Sequence, residues 1–138
     1  MQDKTILIVD DDERFIKMLS FLFSAKGFNV ITASNGEEAW KYLDSTTPDL
    51  MIMDLMMPEM DGFSLYRKIR EQERLKKLPV IILSGIAASE LLEKLEPADL
   101  KFCLQKPFRT VEILTLTRDA LSSSHGESGN YKSCSSAN

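Results

Sequence analysis

Four short runs, over residues 5–9, 50–53, 80–83 and 102–104, are apolar at nearly every position and alternate along the chain with stretches striped at helical spacing. A strand with one wet face shows alternation, so continuous apolar runs of this length point to strands covered on both faces, as in a parallel sheet. Residues 28–33, Phe-Asn-Val-Ile-Thr-Ala, form a mixed run that reads as a fifth strand nearer an edge. Phe15, Met18, Leu19, Leu22 and Phe23 follow a helical stripe that Gly27 stops. Ser34-Asn35-Gly36-Glu37 fits a capping box opening a helix around Ala39, Trp40 and Leu43. Asp61 is placed to cap a helix carrying Phe63, Leu65, Tyr66 and Ile69. Residues 87–96 predict a short helix ended by Pro97, and Ile113, Leu116, Thr117, Ala120 and Leu121 stripe a last one. Five strand–helix alternations imply one α/β domain, a doubly wound five-stranded parallel sheet with helices on both faces.

A chain of 138 residues is long enough to bury one core without staples. Its net charge of -4 offers no general attraction for nucleic acid or anionic membranes. No apolar stretch approaches the roughly 20 residues of a membrane helix, and the N-terminus reads directly into a strand with no signal-peptide pattern. Cys103, in an apolar run, and Cys134, in a polar tail, make neither a disulfide framework nor a metal-ligand spacing, which suits a reducing cytoplasm. Residues 122–138 are Ser-rich and poor in apolar side chains, and read as a flexible tail or a truncated linker after a domain over 1–121. The lone His125 of that tail reads as inert.

The strand ends carry the chemistry. Asp54 closes the run Leu50-Met51-Ile52-Met53, and Asp10-Asp11-Asp12 follows Ile6-Leu7-Ile8-Val9. Lys106-Pro107 comes just after Phe102-Cys103-Leu104. In an open parallel sheet the carboxyl ends of all strands share one edge, where such folds bind ligands. Acids crowded there repel one another unless a cation is shared among them. Asp10, Asp11 and Asp54 therefore ask for a hard metal ion, with Lys106 as a second positive charge. Asp12 suits a helix cap better than a ligand. Met51, Met53, Met56, Met57 and Met60 read as packing residues, since a run of methionines does not by itself make a copper site.

The chain from about 4 to 121 resembles the receiver domain of two-component response regulators. The resemblance rests on four segments in order: Val9-Asp10-Asp11; Met53-Asp54-Leu55-Met56-Met57-Pro58-Glu59-Met60-Asp61-Gly62; Leu83-Ser84-Gly85; and Lys106-Pro107-Phe108. It implies the flavodoxin-like strand order 2-1-3-4-5. It also implies that Asp54 accepts a phosphoryl group from a phosphohistidine of a sensor kinase or phosphotransfer protein. Mg²⁺ would be held by Asp10, Asp11, Asp54 and the backbone carbonyl of Met56, with Asp10 acting mainly through a bound water. Lys106 would neutralise the transferring group, and the Ser84 hydroxyl would bond the phosphoryl oxygen once it arrives. Lys106–Pro107 becomes a candidate cis bond. The output would be a cytoplasmic signalling switch rather than an enzyme on an external substrate. Its face over about 87–121 would change preference for an effector or a fused output domain, and a phosphorylation-dependent homodimer stays open.

Two positions depart from the family pattern. Cys103 stands three residues before the lysine, where receivers usually carry a Tyr or Phe switch ring, and Phe102 lies one step earlier. Strand alternation turns Phe102 to the opposite face unless the strand is irregular there. Met56 and Ile86, which flank the expected path of attacking water, are apolar, and slow self-dephosphorylation is the expectation. Two other functions compete. One is a phosphate-independent docking module, for which Cys103 leaves room. The other is an aspartate-nucleophile phosphatase using Asp10-Asp11-Asp12, which the placement of Asp54 disfavours. A nucleotide-binding reading lacks a Gly-rich loop.

Overall fold

The computed structural model describes residues 3–55 and 62–122. Five strands, β1 (Thr5–Val9), β2 (Asn29–Ala33), β3 (Leu50–Asp54), β4 (Val80–Ser84) and β5 (Cys103–Gln105), form one parallel sheet in the order β2-β1-β3-β4-β5. The mixed run is an edge strand, as its composition implied, and the three runs of 5–9, 50–53 and 80–83 lie at the centre. The last strand begins one residue later than the apolar run, so Phe102 precedes β5.

Helices α1 (Glu13–Ala25), α2 (Gly36–Ser45), α3 (Gly62–Glu71), α4 (Ala88–Leu91) and α5 (Thr110–Ser122) connect or follow the strands. Strand alternation divides the core in two. Leu7, Val9, Met51, Met53, Val80, Ile82 and Cys103 face a layer built from α2, α3 and the α4 region. Ile6, Ile8, Leu50, Ile52, Ile81, Leu83, Phe102 and Leu104 face the other layer, where α1 supplies Leu19 and Phe23 and α5 supplies Ile113 and Ala120. The central strands are therefore apolar on every residue because both of their faces are covered.

Local chemistry sets the helix ends. The Asp12 carboxylate accepts from the N–H groups of Arg14 and Phe15, so it caps α1 as its sequence position implied. Gly27, with φ 96°, takes the left-handed conformation that ends the same helix. At α2 the cap is Asn35, one residue later than the sequence suggested, and its side chain accepts from the Glu38 N–H. The Glu38 carboxylate reaches back to the Ser34 N–H, so the box closes on Glu38 rather than Glu37. The expected helix over 87–96 keeps one regular turn; turns follow it, then a 3-10 helix over Pro97–Leu100. Leu91 and Leu95 reach the core while Leu92 is 46% exposed, so little packing holds a longer helix together. The Asp61 cap proposed for α3 lies outside the described residues. No described helix is long and apolar enough to cross a membrane.

Candidate acid–lysine site

The site forms where β1, β3 and β5 end. Parallel pairing sets Val9 beside Met53, which brings the next residues, Asp10 and Asp54, to the same edge. Asp10 is fully buried and Asp54 is 6% exposed, whereas Asp11 is exposed. The Lys106 ammonium spans the two buried carboxylates, donating to Asp10 Oδ2 at 3.0 Å and to Asp54 Oδ2 at 3.2 Å. Asp10 Oδ1 accepts from the Asp12 N–H at 2.9 Å, so both of its oxygens are engaged. The Lys106 backbone N–H donates to the Ser84 carbonyl at 2.7 Å, and the Lys106–Pro107 bond is cis.

Electrostatics follow from this crowding. Burial pushes the Asp10 carboxyl above the ordinary aspartate range; the Asp12 N–H and the Lys106 ammonium oppose that rise, and the charge of Asp54 adds to it. Burial works against the Lys106 charge, but its hydrogen bonds to Asp10 and Asp54 and their negative charges outweigh it, so the lysine titrates above its usual range. One ammonium thus compensates two buried carboxylates, while a third acid stands beside them.

Carboxylate oxygens of Asp10, Asp11 and Asp54 all lie within 4.8 Å of one another. An octahedral Mg²⁺ with oxygens at about 2.1 Å sets neighbouring ligands about 3 Å apart and opposite ones about 4.2 Å apart. The three carboxylates are hard oxygen donors at nearly that spacing, and two of them are buried beside a single ammonium. The donor set fits a hard divalent cation. Met56, whose carbonyl was expected to join it, lies outside the described residues.

The close approach of Gly62 to the strand end shapes the pocket. A Cβ added there would lie 2.4 Å from Leu55 Cα and 2.8 Å from the Asp54 carbonyl oxygen, so only glycine lets α3 start against the end of β3. The Gly62 N–H donates to the Leu55 carbonyl at 3.0 Å. Phe15, read from the sequence only as part of a core stripe, sits at the site itself. The Lys106 ammonium lies 4.3 Å from the centre of its ring, and that ring meets Phe108 edge-on at 5.8 Å. The clue available in the sequence was its place in the first turn after the Asp12 cap, directly beyond the acidic strand end.

Ser84 is buried at the end of β4, one residue past the Asp54–Leu83 pair. Its hydroxyl donates to the Ile86 carbonyl at 3.0 Å and accepts from the Ile86 N–H at 2.9 Å. Phe102 and Cys103 alternate regularly. Phe102 packs in the α1–α5 layer and Cys103 in the α2–α3 layer, so no strand irregularity turns the Phe102 ring to the face of Cys103. His125 and Cys134 lie outside the described residues.

A flavodoxin-like parallel sheet that gathers three carboxylates and a lysine at its carboxyl edge defines the chain as an α/β domain built around an acid–lysine site. Residues 6–118 match the response regulator receiver domain. PhoP of Bacillus subtilis (strain 168), an alkaline phosphatase synthesis transcriptional regulatory protein, is 34% identical over 113 residues, covering 80% of this chain and 45% of that protein. The chain thus spans less than half the length of this curated relative. The chemotaxis response regulator CheY4 of Vibrio cholerae aligns with a TM-score of 0.78 and 27% identity, over 85% of this chain and 98% of that one. The response regulator TrrA of Thermotoga maritima, solved in complex with Mg(2+)-BeF, aligns with a TM-score of 0.74 and 29% identity, over 85% and 98%. This chain belongs to the receiver domain family of two-component response regulators.

Proposed function

We propose that this receiver accepts a phosphoryl group on Asp54 from a phosphohistidine of a sensor kinase or phosphotransfer protein. The observation that carries this reading is the Lys106 ammonium held between Asp10 and Asp54 at the strand edge. An Asp54 oxygen attacks phosphorus, an O–P bond forms as the P–N bond breaks, and the imidazole nitrogen leaves and takes up a proton. Lys106, within reach of Asp54, then pairs with the phosphoryl oxygens, so the chain contributes mainly position and charge. Asp10, Asp11 and Asp54, with the Met56 carbonyl, would hold Mg²⁺, which when bound offsets negative charge on the carboxylate and the phosphoryl group. The solved Mg(2+)-BeF complex of TrrA supports that choice of cation.

Ser84 reaches the phosphoryl oxygen in this reading only after its hydroxyl gives up the Ile86 carbonyl. That exchange is the local switch, and the α4-β5-α5 face carries it to an effector or a fused output domain. Phe102 faces the α1–α5 layer and position 103 is a cysteine, so the switch runs without a ring at 103. Apolar Met56 and Ile86 give attacking water no group to orient it, and self-dephosphorylation is slow. A cytoplasmic setting follows from the kinase input.

The test is intact mass after incubation with Mg²⁺ and acetyl phosphate. One added phosphoryl group on the wild-type chain and none on Asp54→Ala supports the reading. No gain on the wild type, under conditions that label a known receiver, supports a phosphate-independent docking module instead.

A further inference from the structure

The sheet edge opposite the acid–lysine site carries a second arrangement of charge. A cavity of about 160 Å³ opens there between the C-terminal end of α3 and the starts of β4 and β5, lined by Arg70, Lys76, Lys77, Lys101 and a single acid, Asp99. Four bases face one acid in a chain of net charge -4, and although Lys76 pairs with Glu73 at 3.3 Å, an excess of positive charge remains there. The cavity shares Tyr66, Arg70 and Asp99 with a neighbouring one of about 320 Å³, which adds Arg67 and Lys94 to its rim along with Glu71 and Glu96.

Arg70 is fixed before any ligand arrives. Its Nε donates to the Tyr66 hydroxyl oxygen at 3.2 Å, and its Nη1 donates to the carbonyls of Lys76 at 3.0 Å and Leu78 at 2.8 Å. Its guanidinium lies 5.0 Å from the centre of the Tyr66 ring. Nη2 makes no hydrogen bond among the described residues. The one acid in the smaller cavity is turned inward: Asp99 Oδ1 accepts from the Tyr66 hydroxyl at 2.9 Å and Oδ2 from the Glu96 N–H at 2.9 Å. A held guanidinium with donors to spare, ringed by lysines, matches a carboxylate in shape and charge.

We propose that this cleft docks an acidic segment of a partner protein, with a Glu or Asp carboxylate seated against Arg70 and its neighbours against the flanking lysines. The spread of Arg70, Lys77 and Lys101 across the smaller cavity suits a short acidic run better than a single small ion, whereas the larger cavity balances three bases with three acids. A nucleic acid strand would need exposed rings for its bases, and Tyr66 and Phe102 are 4% and 7% exposed.

The test is an amide-shift titration of the full chain with a hexaglutamate peptide, with inorganic phosphate and hexalysine in parallel. The expected result is saturable movement of the Arg70, Lys77, Lys101 and Phe102 amides, with affinity falling about tenfold or more between about 0.05 and 0.5 M salt. Lys77→Glu combined with Lys101→Glu should weaken the peptide about tenfold or more, and Lys77→Gln should weaken it by less. Thermal melts confirm that each variant is folded. The proposal fails if those amides do not move, if charge reversal leaves the affinity intact, or if inorganic phosphate saturates the same amides at the same concentration. Tighter binding of a DNA duplex at these amides would overturn it in favour of a nucleic-acid surface.

Discussion

The ring of Phe15 caps the Lys106 ammonium at 4.3 Å, on the N-terminal turn of a helix 91 positions away in sequence. The lysine therefore has three partners, two carboxylates and a ring face, and the ring restricts where the ammonium can go when the carboxylates take other partners. A cation–π contact of this kind contributes about 0.5–2 kcal/mol. Phe15→Leu should keep the fold and slow labelling by acetyl phosphate about 2- to 20-fold, and Phe15→Tyr should restore most of the rate. Rates measured by intact mass check this; equal rates for Leu and Phe would show that the ring only fills space.

Asp10 carries a cost that a neutral isostere removes. Its raised pKa means that the folded chain holds the proton more tightly than the unfolded one, so stability from this group is full below about 3.8 and is lost as pH rises through the folded value. Asp10→Asn should therefore melt higher than wild type at pH 7 without divalent cations. The gap should narrow toward pH 4, and it should shrink when Mg²⁺ is added to the wild type. Thermal melts over pH 3.5–7 with and without Mg²⁺ measure it. A destabilised Asp10→Asn would show that the Lys106 pairing outweighs burial.

Gly62 is a steric requirement where α3 starts against the end of β3. Gly62→Ala places a methyl group against the Leu55 backbone and the Asp54 carbonyl, so the start of α3 must shift away. Urea unfolding should show a loss of about 2–3 kcal/mol. Labelling of Asp54 should slow as well, because the added methyl presses on the Asp54 carbonyl oxygen itself. A variant as stable and as fast as wild type would remove this role.

Tyr66 ties α3 to the segment before β5 through Asp99 and Arg70. Tyr66→Phe removes the donor to Asp99 and the acceptor for Arg70 Nε, and should cost about 1–2 kcal/mol with an unchanged urea m-value. Burial chiefly raises the Tyr66 pKa, so this stabilisation is full below about pH 10 and is lost as pH rises through the folded value. The difference between wild type and Tyr66→Phe should therefore close in strong alkali, which paired urea curves at pH 7 and pH 11 would test.

The class of fold was legible because the relevant signals are local. Runs such as Ile6-Leu7-Ile8-Val9 and Val80-Ile81-Ile82-Leu83 are apolar at every residue only where both faces are covered, and strand direction then sends Asp10, Asp54 and Lys106 to one edge. The family motifs added the strand order, which the sheet shows, and the expectation of a role for each acid. Element ends were less legible. Asn35 rather than Ser34 caps α2, and the 87–96 stretch yields one helical turn, because packing against neighbours decides between nearly equal local options.

What the sequence by itself determined was the alternation, the burial of the central strands and the meeting of acids and lysine at their carboxyl ends, all of which follow from backbone geometry and side-chain period. What only the tertiary structure decided was which distant side chains touch. Phe15 covers Lys106, Tyr66 joins Asp99 to Arg70, and Cys103 and Phe102 fall in opposite layers of the core. Those contacts depend on where helices settle against the sheet, and that position is set by the packing of the whole core rather than by any window of the chain.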